Sequence, residues 1–293
     1  MTPRDYTIAG QRLRLADERL TFSGLEPFHT PAHALPDLEI RPGILPEIQP
    51  QECRSIDTFD FADADAECRL ERSSRGGYLF TMTPRSGDRP VRFLPGYSPR
   101  LCLTDFRPGA SPALFRFGLW MAFNIHAVSH GTAAIHSSVI LHRGEGVLFL
   151  GESGTGKSTH TRLWRQHIPG CELLNDDSPF VRIVPGNRPR VCGSPWSGKT
   201  PCYRPFECPI RAIVRLSQGP GNRISRLSVL QAYGALQPSF PPSLAHDEPL
   251  ADAVNVLLSR LLSDVPVYHL SCRPDADAAR LACNTLYGDT PCR

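Results

Sequence analysis

Two hydrophobic periods divide the 293-residue chain. Over the first hundred residues apolar and polar side chains alternate in short runs broken by glycine, proline and serine, as in strands with one buried face. YTIAGQRLRLA (6–16) predicts a hairpin, and GYLFTMT (77–83), RPVRFL (89–94) and RLCLTDF (100–106) predict further strands. HTPAHALPDLEIRPGILPEIQP (29–50) is dense in proline and reads as irregular. FDFADADAEC (59–68) reads as a solvated strand edge or turn rather than a metal site.

From FRPGASP (106–112) onward the period lengthens. Leu114, Phe117, Trp120, Met121 and Ile125 recur at helical spacing, and Gly131 follows as a terminator. AAIHSSVILH (133–142) and VLFL (147–150), joined by RGEG, predict a hairpin. A helix is expected over 158–167, and strands in CELLNDDSPFVRI (171–183), AIVRL (212–216) and PVYHLSC (266–272). Residues 216–228 read as a loop, 250–265 as an amphipathic helix, and 275–288 as a last helix closed by Gly288. The expected organisation is a β-rich domain over 1–106 and a mixed α/β domain over 107–293.

Composition excludes several classes. A net charge of +3 with no dense basic tract argues against a nucleic-acid binder, and no apolar run approaches the roughly 18 residues of a membrane span. The polar start, MTPRDYTIAG, does not read as a secretory signal, so a cytoplasmic protein with ten reduced cysteines is expected. Of 32 basic side chains, only Lys157 and Lys199 are lysine, each after a glycine. A compact ammonium fits a tight phosphate site better than a guanidinium does.

Lys157 lies in GESGTGKST (151–159), a full match to G-x-x-x-x-G-K-[ST] between a predicted strand and a predicted helix. In that context backbone N–H groups of Gly151, Ser153, Gly154, Thr155, Gly156 and Thr159 are expected to converge on phosphate oxygens. Lys157 is expected to reach the β/γ-phosphates, and Ser158 to offer its hydroxyl to Mg²⁺. Downstream, paired Asp176 and Asp177 suggest one metal ligand and one proton acceptor. His136, 15 positions before Gly151, sits on the preceding strand, where antiparallel pairing brings it towards the phosphates.

Together, His136, GESGTGKST and Asp176–Asp177 resemble the catalytic domain of HPr kinase/phosphorylase over roughly residues 130–200. With SPWSGKT (194–200) the chain looks like HPr-kinase-like proteins that carry a WSGK segment; some relatives phosphorylate serine on a small ribosomal peptide. The resemblance implies a fold related to the phosphoenolpyruvate carboxykinase nucleotide domain, with a mixed sheet. It also implies an ATP- and Mg²⁺-dependent kinase acting on a hydroxyl of a peptide, protein or small molecule. Carried over, Asp176 is the base, Asp177 a Mg²⁺ ligand and His136 an assistant at the γ-phosphate. Relatives are often oligomeric, which leaves a homo-oligomer as an open expectation.

The Glu-x-Arg-Gly-x-Gly signature of the bifunctional enzymes is absent, and VCGSPWSGKTPCYRP (191–205) stands in that region. With it goes the ground for expecting a second metal, phosphorolysis, or HPr as the acceptor. Within this segment Ser197, Gly198, Lys199 and Arg204 are expected to meet the transferred phosphoryl or the acceptor. Trp196 is assigned to the same substrate region, although by itself it reads as a packing residue. Other readings are a carboxykinase-like or hydrolytic nucleotide enzyme, and a nucleotide-binding partner without turnover.

Overall fold

Short alternating runs at the start of the chain build one nine-stranded mixed sheet. The computed structural model describes residues 2–32, 35–198 and 200–288. In sequence order the strands are β1 (Arg4–Ile8), β2 (Gln11–Leu15), β3 (His29–Thr30), β4 (Leu38–Pro42), β5 (Cys53–Phe61), β6 (Ala66–Ser73), β7 (Tyr78–Pro84), β8 (Val91–Ser98) and β9 (Leu101–Thr104). They lie in the order β3-β1-β2-β4-β9-β8-β7-β6-β5, with β4 parallel to both neighbours. β4 falls inside the proline-dense stretch expected to be irregular. Its residues alternate, Leu38 and Ile40 are buried, and Pro42 ends the strand, where a missing N–H costs least. FDFADADAEC spans the turn of the β5–β6 hairpin, where exposed Asp60 and Asp65 pair with Arg85.

The chain divides into two compact units, Met1–His130 with Ser243–Ala253, and Gly131–Pro242 with Val254–Arg293. The first unit therefore extends past residue 106 to include α1 (Pro112–Val128). Phe117 of α1 stacks on Phe61 and meets Phe59 and Phe80 edge-on, so the helix covers a face of the sheet. Segment 243–253 returns to this unit because Asp247 is fully buried and accepts hydrogen bonds from Arg54, Arg72 and Tyr78. Ser243 adds a bond to Asp57. A buried carboxylate is tolerated only with such charged and polar partners.

The second unit contains β10 (Thr132–Ala134), β11 (Ser137–His142), β12 (Glu145–Leu150), α2 (Lys157–His167), β13 (Glu172–Asp177), β14 (Phe180–Arg182) and β15 (Arg190–Cys192). It continues through β16 (Glu207–Gln218), β17 (Arg223–Arg226), α3 (Val229–Leu236), the greater part of α4 (Glu248–Asp264), β18 (Val267–Cys272) and α5 (Ala276–Tyr287). Residues 133–142 form two strands rather than one, interrupted at Ile135–His136. Residues 216–228 hold the end of β16 and all of β17 rather than a loop. The helix α3 has no counterpart among the sequence expectations.

Its central strands run β13-β11-β12-β16-β18-β17. β12, β16 and β18 are mutually parallel, while β11 is antiparallel to both β12 and β13. Val147, Leu148, Phe149 and Leu150 are all fully buried, as expected for a strand covered on both faces. Leu163 and Trp164 of α2 share one core with Ala279, Ala282 and Leu286 of α5. The fold is thus mixed α+β with two mixed sheets. No described helix is long and apolar enough to cross a membrane.

One cysteine expectation is corrected: Cys283 on α5 is disulfide-bonded, while eight other cysteines are free thiols. Cys292 lies outside the described residues. Sequence spacing alone does not reveal which thiols the chain brings together.

Candidate phosphate-binding site

Because β11 is antiparallel to its neighbours, its first residue lies at the same sheet edge as the last residues of β13, β12, β16 and β18. Ligands of open α/β sheets bind outside the carboxyl ends of parallel strands. The ends of β11, β12 and β13 deliver His136, the glycine loop and the two aspartates to that edge.

From β12 the chain turns through residues 151–156 into α2, whose first residue is Lys157. Gly151 takes φ +152°, and a Cβ there would come within 2.5 Å of Thr155 Oγ1 and 3.3 Å of the Leu216 carbonyl oxygen. Only glycine allows this close return of the loop. Thr155 closes it by donating from both N–H and Oγ1 to the Glu152 carbonyl. The Lys157 ammonium arches back to the carbonyls of Gly151, at 2.7 Å, and Glu152, at 3.2 Å. Burial lowers its pKa, opposed by Asp177 and Asp176.

Ser158, next on the helix, donates to Asp176 Oδ1 at 3.0 Å. Asp176 is buried, whereas the Asp177 side chain is about half exposed and lies 3.7 Å from His136 Nδ1. His136 occupies the break between β10 and β11, where its N–H donates to the Ser239 carbonyl. Burial, and then Lys157, lower the His136 pKa against the pull of Asp177 and Asp176, so the imidazole is neutral at pH 7.

Asp177 adopts φ +116°, a strained backbone for a non-glycine residue that costs on the order of 1–3 kcal/mol. Its neighbours over-determine it. Asn175 Oδ1 accepts from the Ser178 N–H at 3.1 Å, and Gly198 N–H donates to the Asp176 carbonyl at 2.7 Å. The fully buried Asn175 Nδ2 lies within 3.2–3.4 Å of Ser194 Oγ and the carbonyls of Ser194, Trp196 and Cys202. Asn175 thereby lashes SPWSGKT to the end of β13, a role not apparent from the sequence. Its only sequence signal is its place immediately before the aspartates.

The segment itself divides. Ser197 Oγ lies 3.1 Å from the Asp176 carbonyl and 2.6 Å from that of Thr200. A Cβ on Gly198 would sit 3.0 Å from Asp177 Cβ, so glycine leaves room for that side chain. We expect Gly198→Ala to displace Asp177 by a few tenths of an ångström and lower turnover about tenfold, given a cost near 10²-fold per ångström. Steady-state rates beside thermal melts check this, with stability expected within about 1 kcal/mol. Trp196 is buried against Phe180 and packs. Arg204 is not brought to the aspartates: its guanidinium holds Glu172 at 2.7 Å and the Leu173 carbonyl at 3.0 Å, at the opposite end of β13. Lys199 lies outside the described residues.

On the other flank of the loop, His160 is buried and its Nε2 accepts from Trp164 Nε1–H at 3.1 Å. Burial pushes its pKa down to about 4 from an ordinary 6.5. The unfolded chain takes up that proton below 6.5 while the folded chain resists it, so stability falls as pH drops from 6.5 towards 4. The loss is on the order of 3 kcal/mol. His160→Gln should flatten that acid limb in urea titrations run at about pH 4.5 and pH 7.

Ser158 and Asp176 fit a shared Mg²⁺: both offer hard oxygens and already touch. Among the described residues no cluster of three or more His, Cys, Asp or Glu could hold a metal alone. Such a pair suits an ion completed by phosphate oxygens and water.

No family model matches the chain, and no curated protein matches it. Among solved structures it is similar to an HPr(Ser) kinase/phosphatase from Coxiella burnetii, at 14% identity and a TM-score of 0.31. The match covers 52% of this chain and 87% of that one, and a superposition of that quality carries no inference about activity.

Proposed function

We propose that the chain is an ATP- and Mg²⁺-dependent kinase transferring the γ-phosphoryl group to a hydroxyl, with serine of a peptide or protein as acceptor. The observation that carries the reading is the contact of Ser158 Oγ with Asp176 Oδ1, at the same strand edge as Lys157, His136 and Asp177. The mixed sheet, with antiparallel β11 beside the loop-bearing strand, is compatible with a nucleotide domain of the phosphoenolpyruvate carboxykinase kind.

Roles follow from the contacts. Ser158 and Asp176 form the metal side, where a bound Mg²⁺ would neutralise charge on the β/γ-phosphates. Lys157 exchanges the carbonyls of its own loop for phosphate oxygens. Asp177, more accessible than Asp176, accepts the proton of the attacking hydroxyl, with neutral His136 beside it. This ordering exchanges the aspartate roles implied by family resemblance, because the inner carboxylate is the one bonded to Ser158. Catalysis is mainly positioning and charge neutralisation.

A nucleotide hydrolase is the second reading, favoured by the half-exposed side chains of His136 and Asp177, which water can reach. Incubation with γ-labelled ATP, Mg²⁺ and a pool of Ser/Thr peptides and small alcohols separates the readings. Label on a peptide is the expected outcome. Label on a small alcohol moves the acceptor class, free phosphate alone selects the hydrolase, and no turnover leaves a binding protein.

A further inference from the structure

The kinase reading draws only on the second unit and gives the nine-stranded sheet of the first no task. We propose that the open edge of this sheet, strand β5, docks an extended peptide segment with acidic residues at one end, taken up as a further strand. The choice of a peptide as occupant rests on the kinase reading; the surface itself does not.

β5 ends the strand order of its sheet, so one side of its backbone pairs with β6 and the other faces no strand. It runs for nine residues, whereas β3 at the opposite end has two. None of its residues is buried, and among the described residues no backbone group of 53–61 has a backbone partner outside β6. Sheets commonly blunt such edges with lysine, proline or a bulge. β5 contains no lysine or proline, and its one irregularity falls between Ser55 and Asp57. Residues 57–61 remain a regular run, long enough to pair with an ordinary strand. An extended peptide binds such an edge through main-chain hydrogen bonds and gains specificity from adjacent pockets.

A pocket stands at the start of the strand. Its volume is about 330 Å³, and Arg54, Arg72, Ser73, Ser74 and Glu52 are among its lining residues. Arg54 and Arg72 lie opposite each other across the β5–β6 ladder, and each gives one nitrogen to Asp247, at 2.8 and 3.4 Å. The Tyr78 hydroxyl donates to the same carboxylate at 2.8 Å. Fully buried, Asp247 fixes both guanidiniums but cancels only one of their two charges. Their side chains are still 62% and 42% exposed, which leaves donors for a second carboxylate in the two-pronged geometry that guanidiniums favour. Glu52 does not oppose this, because Arg75 already holds it. Further along β5 stand Asp57, held by Ser243, and Asp60, held by Arg85. A phosphate backbone would meet those carboxylates, whereas a peptide can place its acidic residues at the Arg54 end alone.

The experiment uses the full chain without nucleotide and two fluorescein-labelled peptides, EETVTVT and KKTVTVT, read by fluorescence anisotropy. EETVTVT should bind about tenfold more tightly than KKTVTVT, and Arg54→Gln should weaken it about fivefold. The variant leaves Asp247 with Arg72 and Tyr78 as partners. On the wild-type chain, EETVTVT should slow hydrogen exchange of the outward amides of residues 53–61 about fivefold or more, a measurement that stands even if the variant does not fold. No binding, equal affinity for the two peptides, or binding without protection of β5 overturns the docking edge. Protection of these amides that rises with protein concentration alone assigns the edge to a second copy of the chain, and equal protection by an oligothymidylate assigns it to nucleic acid; either result overturns the peptide. Because ATP takes no part, a chain that docks EETVTVT but turns over no nucleotide loses the kinase reading and keeps this edge.

Discussion

Lys157→Ala should lower nucleotide turnover by about 10²-fold or more, equivalent to roughly 2.7 kcal/mol of transition-state stabilisation. In the folded chain the ammonium is held by the Gly151 and Glu152 carbonyls, within reach of the loop that it serves. Within the loop, residues 151–159, Lys157 is the sole basic side chain; the chain's other lysine, Lys199, belongs to the separate SPWSGKT segment. Stability should change by no more than about 1 kcal/mol, because the two released carbonyls can turn to water. Lys157→Arg should also fall sharply: the site is half-buried and closed by Gly151, and a guanidinium is wider than an ammonium. Near-normal turnover in Lys157→Ala would remove the basis for a phosphate site here.

Asp177→Asn should reduce phosphoryl transfer by about 10²- to 10⁴-fold while nucleotide affinity stays within a few-fold, as expected when a proton acceptor is lost. Asparagine tolerates a positive φ, so the strained backbone at this position is preserved and the test isolates the carboxylate. Asp176→Asn should instead raise the Mg²⁺ concentration needed for half-maximal rate. Ser158→Ala should share that phenotype, and the double variant should cost less than the sum of the two, because the side chains are in contact. If metal titrations place the Mg²⁺ defect on Asp177, the roles are the reverse. The pH profile adds a separate check. The His136 pKa is lowered, and once protonated its imidazolium would pair with Asp177 at 3.7 Å and compete with the acceptor proton. The acid limb of kcat/KM should therefore lie below 6.5 in the wild-type chain, and His136→Gln should alter it.

Features written in contiguous residues were legible. The β1–β2 hairpin turns on Ala9–Gly10, α1 shows its apolar stripe, and Gly288 ends α5 with a positive φ. The strand–loop–helix of residues 145–167 was readable because hydrophobic period, glycine pattern and helix start all fall within 23 residues. β4 was obscured because flanking prolines outweighed a five-residue alternation, and its stability comes from parallel partners 25 and 62 positions away. β17 was missed for a similar reason, since its partner β18 lies 44 positions downstream at Ser225↔His269 and 48 at Arg223↔Ser271.

At the candidate site, sequence determined which chemistry is available: one loop lysine, a following hydroxyl, two adjacent carboxylates and an upstream imidazole. Tertiary structure decided how they divide. Ser158 reaches Asp176 and not Asp177 because β13 enters the edge with Asp176 turned inward. Asn175, unremarkable in sequence, becomes the fastening of the SPWSGKT segment, while Arg204 is drawn away to Glu172. Such outcomes depend on strand order and register, which are set by contacts between residues far apart in the chain. Local pattern fixes what each segment can offer; the packing of distant segments selects which offers meet.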